Sequence, residues 1–298
     1  MSNADRVVFP DDGITKGQVV AYYQLVAEKM LPFVARRALT VERYPKGIGE
    51  EGFMQKNAPA HFGPDLITRH EVPKEGGTTV YPVADRVESI LAFANLGVIT
   101  FHAPPSTVDD VRHPDWAIWD LDPPKGCTDL AREAALALRE VLKSFGIETG
   151  LMTSGSNGYH LRCPLLPVVE ATDVAAAARG VSALAVAAHP DLLTLAFKKA
   201  DRGNRVFVDW LRNAPYSTSV APWSLRPRTG APVATPIPWD ALDLEDPDGI
   251  GLHEAPTILD DDPWADVEPL DMGGRAVAIE HALSDAGIVL EPFDRFRS

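Results

Sequence analysis

The stretch Trp116-Ala117-Ile118-Trp119-Asp120-Leu121-Asp122-Pro123-Pro124 ends a hydrophobic run in two aspartates one residue apart. In an extended strand the side chains alternate faces, so Asp120 and Asp122 project to one side while Trp119 and Leu121 project to the other. The two prolines then stop the strand. Carboxylates aimed at one point suit a hard cation such as magnesium or manganese, and those ions mostly serve phosphate chemistry in proteins. The same residues also fit a strand leaving the sheet with solvated carboxylates and a proline turn.

A third carboxylate, Asp209, ends a second β-branched and aromatic run, Arg205-Val206-Phe207-Val208-Asp209, just before the polar, cationic stretch Leu211-Arg212-Asn213. Two strand-end acid sites favour the metal reading. Between them lies Ser154-Gly155-Ser156-Asn157-Gly158-Tyr159-His160-Leu161-Arg162. Its glycines let the backbone turn tightly and expose N–H groups, as phosphate-holding loops do, with Ser154, Ser156 and His160 adding donors. An ordinary hairpin between Thr149–Thr153 and Tyr159–Pro164 has the same composition.

These elements follow one another as Asp-x-Asp, Ser-Gly-x-x-Gly-x-His and Asp, joined by Ile14-Thr15-Lys16-Gly17, Phe53-Met54-Gln55-Lys56-Asn57, Lys199-Ala200-Asp201-Arg202-Gly203 and Pro232-Val233-Ala234-Thr235-Pro236. In that order they resemble the archaeo-eukaryotic primase superfamily, and closely the polymerase domain of bacterial ligase D, from about Val7 to Leu242. The resemblance implies a mixed α/β, two-lobed primase-like fold, a small N-terminal lobe packed on a catalytic lobe with an RRM-like sheet. It implies a template-directed nucleotidyltransferase (primase-polymerase) that extends 3′ ends at gaps and breaks in non-homologous end joining, preferring manganese and ribonucleotides. Its partners would be nucleoside triphosphates, gapped or broken duplex DNA with a 5′-phosphate, Ku and an ATP-dependent DNA ligase.

Carried over by position, Asp120, Asp122 and Asp209 match the metal-binding, catalytic carboxylates, serving two ions, manganese or magnesium. Ser154 and His160 match the loop contacting the triphosphate, and Arg226 matches another cation on it. Arg202 and Arg212 match arginines around the same site, and His102 matches a histidine near the nucleotide. Arg6 and Lys16 match two cations that hold the 5′-phosphate across a gap. Phe53 matches a template-stacking aromatic. The relatives commonly carry a second aromatic where this chain has Met54, which offers no π-face, so stacking rests on Phe53.

Each basic residue also has a plainer explanation. Arg202 and Arg205 could pair with surface carboxylates, Arg226 could snorkel from a loop, and His102 on an apolar strand could be a satisfied core histidine. Lys16 follows Thr15, a fitting N-cap, and so could lie in the exposed first turn of a helix. A cation there opposes the helix dipole, a mild cost that an anion bound nearby would offset.

With 298 residues, 45% of them hydrophobic, the chain has enough material for a large core, and it is read as a single domain, 1–298. The sequence shows no bilayer-length apolar run and no leader pattern, so a cytoplasmic, nucleoid-associated protein without a membrane partner is expected. Two cysteines, Cys127 and Cys163, are too few for a disulfide framework or a zinc cluster. A net charge of −14 excludes DNA binding by bulk attraction. The cations crowd one stretch instead, with Lys198, Lys199, Arg202, Arg205, Arg212, Arg226 and Arg228, which predicts a basic cleft on an acidic body.

Periodicity predicts helices over Lys16–Arg37, Asp129–Phe145, Ala171–His189 and Gly274–Ala286. Strands are expected near Leu39–Tyr44, Thr78–Pro82, Val98–Phe101, Trp116–Leu121, Gly150–Thr153, Tyr159–Arg162 and Arg205–Trp210. The proline-rich Pro227–Asp243 is expected to wrap the surface, and the chain beyond it to Asp266 to be irregular. Two rival functions use part of this constellation. A metal-dependent phosphodiesterase or nuclease would need the acids but no triphosphate loop; a non-catalytic DNA-end scaffold would need Arg6 and Lys16 but no acids.

Overall fold

A computed structural model describes residues 1–291; the last seven positions of the 298-residue span lie outside the described residues. The centre is a six-stranded sheet in the order Leu193–Thr194, Val206–Asp209, Trp116–Asp122, Tyr159–Pro164, Gly150–Thr153 and Pro236–Ile237. Only the first pair is parallel. The alternation read in the sequence sorts its two faces. Trp119 pairs with Leu161 on the face covered by helices Thr128–Ser144 and Ala171–Ala188, where the Trp119 indole donates to the Ala178 carbonyl at 3.3 Å. The aspartates take the opposite face.

A second, antiparallel sheet runs in the order Ser219–Val220, Val98–Ala103, Thr40–Arg43 and Phe53–Gln55. Helices Lys16–Val34 and Val87–Asn95 pack against it. The first begins where the sequence marks it: Thr15 caps it, and Gln18 completes a capping box. It ends at Val34 rather than Arg37, because Ala35 is extended and Arg36 adopts a left-handed φ of 57°.

The segment Ser224–Ile237 joins the two sheets. Ser224 Oγ accepts from the Phe101 N–H at 2.8 Å, Thr100 Oγ1 donates to the Leu225 carbonyl at 2.8 Å, and the Thr153 N–H donates to the Thr235 carbonyl at 2.9 Å. The expected surface wrap is therefore wrong for this part of the chain: Ala231 to Ile237 are all buried, and Pro236–Ile237 forms a sheet edge. Proline is tolerated there because an edge strand need not donate on its open side.

Other elements also escaped the sequence reading, among them helix Val87–Asn95 and strands Phe53–Gln55 and Thr68–Lys74, the last forming a hairpin with Gly77–Val83. Ala171–Ala188 also corrects the membrane argument, since by length and mean hydropathy, 1.3, it is apolar enough to span a bilayer. Ten of its residues are buried in the protein, against the sheet and helix Met272–Asp285. It is a core helix.

Candidate active site

Sheet register builds the site. Asp120 stands opposite Asp209 on one neighbouring strand and opposite His160 on the other, so one row across three strands presents carboxylate, carboxylate and imidazole on a single face. Asp122 follows two residues along, on the same face. Asp120, Asp209 and His160 are 9%, 8% and 3% exposed, respectively. A cavity of about 260 Å³ opens over the row and is lined also by His102, Ser154, Arg202, Arg212 and Arg226.

The loop before His160 is both a hairpin and part of the site. Ser154 Oγ accepts from the Ser156 and Gly158 N–H groups at 3.2 and 3.3 Å, and Gly155 takes φ 62°. Gly158 lies directly on the acid strand: a Cβ there would stand 1.8 Å from the Leu121 carbonyl oxygen. Arg226 presses against the other side of the loop, its Cγ 2.6 Å from where a Gly155 Cβ would be. Its Nε is buried without a hydrogen-bond partner among the described residues, as is His160 Nδ1.

Cations interleave the acids. Arg212 spans two of them, with Nε 3.1 Å from Asp120 and Nη2 3.1 Å from Asp209, while His160 Nε2 lies 3.2 Å from Asp120. Arg202 sits over the Phe207 ring, anchors on the Ala196 and Phe197 carbonyls, and approaches Asp122 at 3.8 Å. Burial opposes the charge on Asp120, but His160 and Arg212 outweigh it and hold the carboxyl well below the usual range. Burial, then the neighbouring Asp120, pushes Asp122 up to about 7, and burial leads in raising Asp209. Burial, then Arg226 and Arg212, pushes His102 down to about 3, so this histidine is neutral.

Among the described residues no group of carboxylates and histidines is drawn together at metal-binding distance; the arginines occupy the acids. The donor set nevertheless fits a hard divalent ion. It offers oxygen ligands from two buried strand positions, Asp120 and Asp209, and from the half-exposed Asp122, whose pKa is raised by burial and then by the charge of Asp120 beside it, a crowding of carboxylates that a divalent cation relieves. Asn213, given no role in the sequence reading, fixes Arg212 from the next position. Its amide accepts from the Ile118 N–H and donates to the Ile118 carbonyl, both at 2.7 Å, tying the turn to the acid strand.

The basic cleft is present. A cavity of about 870 Å³ adjoins the site at Asp122 and Arg202 and is lined by Lys125, Lys199, Arg205 and Arg228. Arg228 Nη1 donates to Asn157 in the glycine loop at 2.8 Å. Lys125 was missed, having no cationic neighbour in sequence.

Arg6 and Lys16 lie apart from the acids but together, in a cavity of about 170 Å³ that no carboxylate among the described residues lines. Arg6 donates to the Pro45 carbonyl and Lys16 Nζ to the Ser2 carbonyl at 2.7 Å. Lys16 is in the helix's first turn but is not exposed: it is 6% accessible, and burial, then Arg6, lowers its pKa. Phe53 and Met54, 48% and 52% exposed, stand on an edge strand, with the Arg43 guanidinium 5.3 Å from the Phe53 ring centre.

Residues 15–264 match the family model of the LigD primase-polymerase domain. The multifunctional non-homologous end joining protein LigD of Mycolicibacterium smegmatis is 34% identical over 245 residues, covering 81% of this chain and 32% of that protein. Its counterpart from Mycobacterium tuberculosis is 36% identical over 253 residues, covering 82% and 33%. The chain thus spans about a third of the length of these curated relatives. The solved polymerase domain of Mycobacterium tuberculosis ligase D in complex with DNA superposes with a TM-score of 0.76 at 29% identity, covering 99% of this chain and 96% of that one. With its α+β primase-like architecture, the chain belongs to the LigD primase-polymerase domain family.

Proposed function

We propose that this chain adds nucleotides to a DNA 3′ end under template direction, filling gaps at broken ends in non-homologous end joining. The observation that carries this reading is the row Asp209, Asp120 and His160 beneath the loop of Ser154 and Arg226: acids for a metal and donors for a triphosphate open into one cavity. The family match does not favour a nuclease or a non-catalytic scaffold, and the loop gives neither rival an advantage.

Asp120, Asp122 and Asp209 would hold two divalent ions, manganese by preference, which when bound supply Lewis-acid charge for phosphoryl transfer. Arg212, released from Asp120 and Asp209, turns to the nucleotide with Arg202 and Arg226. Ser154 and His160 orient the phosphates, and the neutral His102 donates or accepts a hydrogen bond near the nucleotide. Ribonucleotides are the preferred substrate. Arg6 and Lys16 hold the 5′-phosphate, with charge-assisted contacts that no acid contests, and Phe53 stacks on a template base.

The chain acts as one unit, an N-terminal lobe on a catalytic lobe, supported by a continuous core from Val8 to Ile279. It works in the cytoplasm at the nucleoid, with Ku and an ATP-dependent ligase as partners. Incorporation of each nucleotide type on a gapped duplex, with manganese or magnesium, tests the reading. Template-matched addition that Asp120→Ala abolishes is expected; strand cleavage without addition overturns it.

A further inference from the structure

Two residues beyond His160 on the same strand, Arg162 faces the core with 2% of its surface exposed. Its Nε and Nη1 are buried and donate to nothing among the described residues. The guanidinium carbon lies 5.2 Å from the ring centre of Trp116 and 6.0 Å from that of Phe33, so aromatic faces hold the cation where a carboxylate is missing. The nearby acid is already engaged: Arg37, also 2% exposed, takes both oxygens of Asp115 at 2.8 and 2.6 Å. Among the described residues two buried guanidinium groups thus share one carboxylate, which leaves one positive charge uncompensated.

A buried, unpaired charge is among the costliest arrangements in a protein interior. Burial, then Arg37, pushes Arg162 down to about 9, with Asp115 opposing, so it stays charged at neutral pH. Beside it is a cavity of about 100 Å³ lined by Trp116, Gly150, Arg162, Pro164, Trp264 and Val267. None of these is acidic. The Trp264 indole N–H cannot serve a ligand, because it donates to the Leu151 carbonyl at 2.9 Å. The space is large enough for one small ion, and its apolar walls disfavour the strongly hydrated, multiply charged phosphate or sulfate.

We propose that this cavity is a binding site for a small, weakly hydrated monovalent anion of the halide class, drawn by the uncompensated charge of the Arg162 guanidinium that lines it. The ion neutralises the Arg37–Asp115–Arg162 cluster and stabilises the strand that carries His160, away from the nucleotide cavity.

Crystals of the wild-type protein soaked in sodium bromide give the direct test: an anomalous peak within hydrogen-bonding reach of the Arg162 guanidinium is expected. No peak, or density without anomalous signal, overturns the site. In solution, melting is compared in sodium bromide and sodium gluconate at matched ionic strength. Wild type should gain about 2–5 °C in bromide by mass action, and Arg162→Met, which keeps the volume and removes the charge, should lose that gain. An equal gain in both proteins overturns the proposal. If the variant does not fold, the anomalous map decides alone.

Discussion

The acid row and the N-terminal cation pocket are both assigned to phosphate, yet they are charged in opposite ways. Around Asp120, each acid already holds a cation: Arg212 bridges Asp120 and Asp209, His160 faces Asp120, and Arg202 approaches Asp122. Around Arg6 and Lys16 no acid lines the cavity, and the cations lean on the neutral carbonyls of Pro45 and Ser2. Filling the first region exchanges ion pairs, so its affinity is a difference between large terms set by divalent ions. Filling the second only adds partners, so its affinity follows DNA phosphate and salt.

The largest expected effect tests the first half of that contrast. Asp122→Ala or Asp209→Ala should lower nucleotide addition on the order of a thousandfold or more while the protein still folds, because each removes a ligand and a repulsive charge together. Asp120→Ala should lose activity equally but also cost about 1–3 kcal/mol of stability, since it strands Arg212 and His160. Single-turnover extension and denaturant melts measure the two effects. Normal activity in any of the three would break the metal assignment.

Next comes Arg6→Ala with Lys16→Ala. At about 1.5–3 kcal/mol per charged contact, the pair should lose on the order of a hundredfold in affinity for 5′-phosphorylated gaps and flatten the salt slope. Unphosphorylated gaps should bind nearly as before; equal losses on both DNAs would dissolve the contrast between the two regions.

Arg226→Ala should then raise the nucleotide KM by about tenfold to a hundredfold with DNA binding unchanged, since one charge-assisted phosphate contact is lost. Nucleotide titration at saturating DNA reads this directly.

The smallest effect sharpens the electrostatics. The folded pKa of Asp122, about 7, lies above its ordinary 3.8, so its contribution to stability is complete at low pH and is lost as pH rises through 7. In chelator, Asp122→Asn should therefore be more stable than wild type at pH 8, by roughly 0.5–1 kcal/mol after discounting for a half-exposed side chain, with no such gain at pH 4. Melting curves at both pH values, where an unchanged difference would count against carboxylate crowding, check the sign.

Much of this contrast was legible in residues 116–124, because strand alternation is local and puts both acids on one face whatever surrounds them. Thr15 was readable for the same reason, a cap acting within one turn. The pairing of Asp120 with Asp209 depends on register between strands far apart in sequence, and only the family resemblance supplied it. The helix Val87–Asn95 has nine residues and no side-chain cap, so neither period nor punctuation announced it. Pro232–Ile237 failed differently: its prolines signal a loop, but the two sheets leave a gap that this segment fills with buried backbone. The burial of Lys16 was unreadable too, since residues 2–6 fold back over the helix start.

Gly158 sets a boundary on how this enzyme can be altered. Any side chain there meets the Leu121 carbonyl, and relief requires lifting the loop from the strand beneath, carrying Ser154 and His160 out of place. A library aimed at nucleotide choice could vary Ser156 and Asn157, whose side chains line the cavity, and keep position 158 invariant. Diversity at that one position would be spent on inactive clones, so the reachable sequence space of the loop is narrower than its length suggests.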